Sequence, residues 1–457
     1  MKSLFILVAL VMALMTMGCT IAQQVPRTSI PEPRPLGRNL PKLGTSGILP
    51  KQTAEIATGE LTLRQALARV LLHNPELAVF SWEIRVKEAE VLQAGLLPNP
   101  ELEFGMENFS GSGNFNKTNS AENTISLSQL IQLGGKRNKS RAAAALEGEL
   151  AGWDFETKRL DVLTSTTKAF VSVLAMQQRV GQTEELADLT ERFLNTVVER
   201  VEAGVSSPVE QTRAKIALSA ARIAQDQARL SLAGARKELA ALWGEETTTF
   251  DRAAGSLEQV DPIPPQEDLV VFLNQNPEIA RWKTEGKQRD AQLALERAKA
   301  IPNLTLSAGV RNLKEINDNA FVVGLSVPLP IFDRNQGGIA AAVAARNKAQ
   351  FASQAAHSQG FANLAASYRN LSAAYVAAKA LQEQILPATG QAFATIDIGY
   401  RAGKFGFLEL LDAQRALFEV NGQYIEALAA YHQAKADVER LIAAPLNTFS
   451  KQNQEEK

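Results

Sequence analysis

Two hydrophobic periods alternate along this chain. Long stretches carry apolar residues at the three-and-four spacing of a helix, and four short ones carry them at every second position. The first helical pattern begins at Leu61-Thr-Leu-Arg-Gln-Ala-Leu67 and stops at His73-Asn74-Pro75-Glu76. A second runs to about Leu97, where Pro98-Asn99-Pro100 forbids continuation. The period then changes to two. Leu102, Phe104 and Met106 alternate with Glu101, Glu103, Gly105 and Glu107, and after a polar loop Ile125 and Leu127 alternate with Thr124, Ser126 and Ser128. This predicts a hairpin with strands over about 101–109 and 123–131. Gly134-Gly135-Lys136-Arg137 opens a helix lasting to about Arg200.

The second half repeats the order. Asn276-Pro277-Glu278-Ile279 echoes Asn74-Pro75-Glu76-Leu77, and Pro302-Asn303-Leu304 echoes Pro100-Glu101-Leu102. A second hairpin follows, with strands over about 303–311 and 320–329, and Gly337-Gly338 starts a long Ala-rich helix ending near Tyr400. The expected organisation is a first repeat over 59–243, a Pro-rich linker over 244–266, a second repeat over 267–444 and a tail over 445–457. In each half one long helix matches the summed length of two shorter ones, giving a layer on the order of 95 Å deep at 1.5 Å per residue. Heptad series support side-by-side packing: Leu410, Leu417, Tyr424, Tyr431 and Val438 in one, Ala214, Ala221, Ala228, Ala235 and Leu242 in the other.

Between the long helices lie two short turns that resemble each other, Val201–Glu210 and Gly399–Gln414. Gly204, Gly399 and Gly403 are the expected turn formers. Glu210, Glu409 and Asp412 stand near helix starts, where the dipole favours acids whatever else they do. On a symmetry axis such acids would also form like-charged rings that attract cations.

Composition narrows the class. The chain has 457 residues, a formal net charge of -1 and 21% charged residues, so nothing points to nucleic acid. Lys2 followed by an apolar run from Leu4 to Met17 reads as a signal peptide within 1–22. Cleavage falls before Cys19, making that single cysteine a candidate lipidation site, or after Ala22, removing it. Residues 23–58 read as an extended N-terminal tail.

No later segment has the apolar length of a transmembrane helix, so any membrane entry must use the strands. Each strand is long enough to cross a bilayer when tilted. Four strands cannot close a barrel, and open edges in lipid leave backbone groups unpaired. Several protomers must then share one barrel, and the polar alternate positions favour twelve strands from three protomers around a pore. The bland alternative is a soluble α+β domain with half-buried hairpins.

Chemistry is sparse. Gly134-Gly-Lys-Arg137 lacks the spacing of a phosphate loop, and His73, His357 and His432 lie apart with no neighbouring nucleophile. No catalytic residue, cofactor or metal site is expected, and the chain does not read as an enzyme.

Taken in order, the motifs resemble the TolC-like outer-membrane efflux proteins, and more narrowly the outer-membrane subunits of heavy-metal cation efflux systems (CzcC- and CusC-like). Besides the first helix start and Leu97-Pro-Asn-Pro-Glu-Leu-Glu103, the resemblance rests on Ser126-Leu-Ser-Gln-Leu-Ile-Gln-Leu-Gly-Gly-Lys-Arg137. Val327-Pro-Leu-Pro-Ile-Phe-Asp-Arg334, Tyr400-Arg-Ala-Gly403 and Leu408-Glu-Leu-Leu-Asp-Ala413 complete it. The resemblance implies an α+β membrane protein. A long α-helical coiled-coil barrel crosses the periplasm, and four β-strands per protomer join a shared 12-stranded outer-membrane β-barrel. It also implies a homotrimer in outer-membrane lipid, docking a periplasmic adaptor (membrane fusion) protein and an inner-membrane RND-type pump. The implied function is passive export of heavy-metal cations. The alternatives are drug efflux or type I protein secretion on the same fold, and a periplasmic coiled-coil structural lipoprotein without a pore. Matching the family's gate positions are Glu409, Asp412, Glu210 and Tyr400. An arginine that locks some family gates has no match, because Phe405 stands there.

Overall fold

The structure is a computed structural model that describes residues 25–40 and 59–447. The signal peptide, Cys19 and the last ten residues lie outside the described residues.

Elements follow in the order β1 (Glu60–Thr62), α1 (Leu63–His73), α2 (Pro75–Ala94), β2 (Glu101–Glu107), β3 (Glu122–Ile131), α3 (Lys136–Glu202) and α4 (Pro208–Ala241). The second half holds β4 (Arg252–Ala254), the short α5 (Gln266–Val270), α6 (Pro277–Lys299), β5 (Leu304–Leu313), β6 (Asp318–Ser326), α7 (Gln336–Ala380), α8 (Leu386–Arg401) and α9 (Phe407–Ile442). The chain divides into two compact units. Of the described residues, one takes in 25–30, Glu83–Gly152 and Arg281–Ser353; the other holds 31–40, 59–82, Trp153–Ala280 and 354–447.

The first unit carries the sheet, antiparallel throughout in the order β2-β3-β5-β6. Its register stacks side chains in rows. Phe104, Ile125, Val310 and Phe321 form one row and Leu102, Leu127, Ala308 and Val323 the next, all on one face. That face is bare: Phe321 is 81% and Val323 82% exposed. So large an apolar surface is unstable against water and suited to lipid. The opposite face carries Glu101, Glu103, Glu107, Ser126, Ser128, Ser307 and Arg311, with Arg311 bonded to Glu122 at 2.9 Å. Neither β2 nor β6 has a second neighbour in this sheet. Asn108, in the left-handed region at φ 59°, ends β2 two residues earlier than the alternation suggests. β6 stops at Ser326, ahead of Pro328 and Pro330, which cannot supply ladder hydrogen bonds.

The second unit is helical and splices short helices onto long ones. Asn74 accepts the Leu77 N–H at 2.7 Å, capping α2, and donates to the Leu242 carbonyl at 2.6 Å just past α4. Asn276 does the same for α6 and α9, accepting from Glu278 at 2.8 Å and donating to the Leu441 carbonyl at 2.9 Å. One side chain thus satisfies orphan groups at two helix ends, which is what the repeated Asn-Pro pair does. The Ala214, Ala221, Ala228 and Ala235 seam is buried, and so are Leu410, Tyr431 and Val438.

Three features depart from the pattern reading. The long second-half helix is not continuous: Leu381–Ile385 forms a π-turn between α7 and α8. Pro387 lacks an N–H, and its ring would strike the carbonyl four residues back, so the helix widens immediately before it. Residues 244–266 do more than connect. β4 pairs in parallel with β1, and Phe250, Ala253 and Leu257 lie in the core beside Phe170 and Leu239. The described part of the N-terminal tail is tied down as well. The Arg34 N–H donates to Glu156 at 2.7 Å, its guanidinium lies 4.9 Å from the Trp153 ring centroid, and Leu36 N–H bonds the Ala443 carbonyl.

Candidate functional site

Both long hairpins of the second unit turn in the same way. At the first, Gly204 takes φ +72°, its N–H reaches the Val201 carbonyl, and the Val205 N–H reaches the Arg200 carbonyl at 2.9 Å. At the second, Gly403 takes φ +72°, its N–H reaches Tyr400, and the Lys404 N–H reaches the Gly399 carbonyl at 2.8 Å. This is the left-handed C-terminal cap with its paired reversed bonds, and glycine meets its positive φ without strain.

Gly399 is not a turn former. It lies buried inside α8, and a Cβ there would come within 2.3 Å of the Phe405 ring. Its missing side chain lets Phe405 fold back over the helix, which is a packing role.

The following helices begin differently. Ser207 caps α4, its Oγ accepting the Val209 N–H at 3.2 Å, with Pro208 at the first helical position. Gly406 has no side chain to offer α9. Glu409 instead reaches back, its Oε2 accepting the Gly406 N–H at 2.6 Å.

Tyr400 joins the two hairpins. Its ring is buried with Phe407, Leu410 and Leu411 of its own hairpin and Phe193, Val197 and Ala214 of the other. The Arg200 guanidinium lies 4.9 Å from the Tyr400 ring centroid, donates to the Tyr400 carbonyl at 3.4 Å and to Ser206 Oγ at 3.2 Å. Burial pushes the Tyr400 phenol above its ordinary pKa, the Arg200 charge opposes that, and the Glu210 charge adds to it. Glu210 stands half-buried in the first turn of α4. Asp412 is exposed one turn into α9, and Glu419 and Glu426, at successive seven-residue steps, are exposed on the same helix face.

The geometry thus brings Tyr400 of the second hairpin against the first, makes Glu409 a cap and leaves Asp412 open to solvent. Sequence patterning missed Arg200 and Ser206. Arg200 sits in the last turn of a helix, where a basic residue is favoured by the dipole and so attracts no notice.

The model of the family described as "Outer membrane efflux protein" matches residues 66–245 and 269–444, one match per half. The chain belongs to the outer membrane efflux protein family. It is 35% identical over 386 residues to the cobalt-zinc-cadmium resistance protein CzcC of Cupriavidus metallidurans, covering 84% of this chain and 91% of that protein. It is 27% identical to the nickel-cobalt-cadmium resistance protein NccC of Alcaligenes xylosoxydans xylosoxydans, over 64% of this chain and 65% of that one. Among solved structures it resembles CusC, with a TM-score of 0.72 and 16% identity, covering 93% of this chain and 100% of that one.

Efflux proteins of this family are trimeric outer-membrane channels with a helical periplasmic extension, and they work within tripartite pumps. That accounts for the two features that one chain leaves incomplete. The open edges of β2 and β6 are closed by neighbouring protomers into a shared barrel, and the bare Phe104–Phe321 rows face lipid. The protein is a passive export duct with no enzymatic step. A coiled-coil lipoprotein without a pore would have no use for those rows.

Proposed function

We propose that this efflux protein exports heavy-metal cations, and that the hairpin tips form its periplasmic constriction. Two curated relatives are named for resistance to cobalt, cadmium, and zinc or nickel, which supports the cargo. The single observation that carries the constriction is the exposed Asp412, Glu419 and Glu426 series rising from the second tip. Repeated by three protomers, it would line a path with carboxylates that attract hydrated cations without binding them as ligands. Energy and most substrate choice would come from an RND-type pump in the inner membrane, joined through a periplasmic adaptor. Residues 59–243 and 267–444 serve as the two repeats, with 244–266 between them.

Deleting the gene in its native host tests the cargo. Sensitivity to cobalt, zinc or cadmium should rise, and complementation by the intact gene should reverse it. Sensitivity rising to drugs alone would assign the duct to drug efflux, and loss of a secreted protein would assign it to type I secretion.

A further inference from the structure

The apolar face of the sheet does not end where its strands do. Phe321, Val323 and Leu325 are bare along β6, and beyond Ser326 the chain continues with Val327, Leu329, Ile331 and Phe332, all exposed. Leu329 is 75% and Phe332 89% exposed. At the other edge of the sheet Leu97 is likewise bare just ahead of β2, and closing the barrel sets the two edges side by side. Because β6 leads directly into α7, this apolar collar lies at the periplasmic end of the barrel.

The collar is a built turn. The Ile331 N–H reaches the Leu329 carbonyl at 2.9 Å, the Arg334 N–H donates to Gln336 Oε1 at 2.8 Å, and the Gln336 amide donates to the Phe332 carbonyl at 3.0 Å. Asn335, at φ 55°, ties the turn to α6 by donating to the Glu296 carbonyl at 2.8 Å. These bonds hold Phe332 outward, where in water its ring would bury nothing. Arg334 Nε donates to the Pro330 carbonyl at 3.1 Å, which sets the guanidinium beside the apolar run, and among the described residues its terminal nitrogens meet no acceptor. The neighbouring Asp333 turns its Oδ1 onto the Asn335 N–H at 2.8 Å. The first-half junction is arranged differently: Lys136 turns inward and donates to the Ile301 carbonyl and to Asn303 Oδ1.

We propose that the turn over 327–334 seats a phospholipid of the inner leaflet, with Leu329 and Phe332 against its acyl chains and the Arg334 guanidinium on its phosphodiester. A guanidinium offers parallel N–H donors that match two phosphate oxygens, which an ammonium cannot do. The occupant follows from continuity: the collar extends rows that already face lipid, and its one unengaged cation stands where the apolar surface stops and phosphate begins. Each protomer carries one such seat, and the three together fix the depth of the barrel in the membrane.

Native mass spectrometry of the purified trimer, titrated with phosphatidylglycerol, counts the bound lipid and gives its affinity. The wild type should saturate at one lipid per protomer, and Arg334→Gln should weaken binding roughly tenfold. Diacylglycerol with the same chains has no phosphate; its binding should be indifferent to Arg334→Gln, whereas Phe332→Ala should weaken both lipids. Unchanged phosphatidylglycerol affinity in Arg334→Gln and Phe332→Ala would overturn the seat. So would an equal loss in Arg346→Gln, whose charge is paired with Asp290 at 2.7 Å further along α7. Diacylglycerol binding as sensitive to Arg334→Gln as phosphatidylglycerol binding would overturn the phosphate contact. A second measurement needs no affinity: Phe332→Trp in nanodiscs of phosphatidylcholine brominated near the headgroup end of its chains. Its fluorescence should be quenched beyond that of the wild type with its four native tryptophans. Quenching no greater than in the wild type would put the turn in water and overturn the proposal.

Discussion

The two hairpin tips share a turn and differ in how the flanking helices are capped and packed. Aligned on their left-handed glycines, Gly204 and Gly403, they place Arg200 opposite Gly399, Val201 opposite Tyr400, Ser207 opposite Gly406 and Glu210 opposite Glu409. The cap explains the fate of the acids. Ser207 gives α4 its own N-terminal acceptor, so Glu210 is not needed for the cap. Gly406 gives α9 none, so Glu409 is drawn into the cap. One serine-to-glycine difference decides which glutamate is drawn into a helix cap.

The largest expected effect that separates the tips is at Gly399. An alanine there meets Phe405 and should destabilise the second tip by about 1–3 kcal/mol, as overpacking does, with Phe405→Ala restoring most of it. Hydrogen exchange of α8 and α9 near the turn measures this, and a loss that Phe405→Ala does not relieve would contradict the packing role. Next come Gly204→Ala and Gly403→Ala, each costing about 1–2 kcal/mol for a left-handed alanine. Their near equality in exchange protection would confirm that the turns are equivalent, and a large inequality would show that they are not.

The caps should matter less. Ser207→Ala should cost about 0.5–2 kcal/mol at the start of α4. Glu409→Gln keeps an acceptor and should cost less than Glu409→Ala. If Glu409→Gln instead changed ion selectivity as much as Asp412→Asn, the cap assignment would be wrong.

The smallest effect is alkaline. Burial raises the folded pKa of Tyr400, and it pushes Tyr431, whose hydroxyl donates to the Asp261 carbonyl at 2.9 Å, up to about 12. A raised phenol contributes stability that is complete below the unfolded value near 10 and is lost as pH rises through the folded value. Phenolate absorbance followed against pH should show both rings titrating late. The first tip has Val201 where Tyr400 stands, so any loosening should come through the contacts by which Tyr400 joins the two tips.

Much of this was legible in the sequence because it depends on period and order. The alternation in Leu102-Glu-Phe-Gly-Met106 and its second-half counterpart specified strands with one apolar face, while the rows depend on strand pairings, β3 with β5 among them, that alternation alone does not set. The Asn-Pro pairs marked joints, but their function as splices between two helix ends depends on long-range contacts to Leu242 and Leu441 that no local pattern encodes. Pro387 stood in plain view, yet its helix continues after a π-turn, because packing holds both segments in line where the proline alone would break them. Gly399 looked like a turn residue because a glycine's two uses, positive φ and close approach, read identically in sequence. Arg200 was hidden for the opposite reason: a basic residue ending a helix is ordinary, and only the fold puts Tyr400 beneath it.

The proposal most open to test is that the carboxylates rising from the second tip, Asp412 first and then Glu419 and Glu426, make this duct cation-preferring. The most direct measurement is the reversal potential of the purified trimer in planar bilayers under a salt gradient, for the wild type, Asp412→Asn and the Asp412→Asn/Glu409→Gln pair. The expected result is a cation-selective potential in the wild type that is clearly reduced in Asp412→Asn, with little further change in the pair because Glu409 serves as a cap. A potential unaltered by Asp412→Asn, or a trimer that conducts nothing in any of the three, would contradict it.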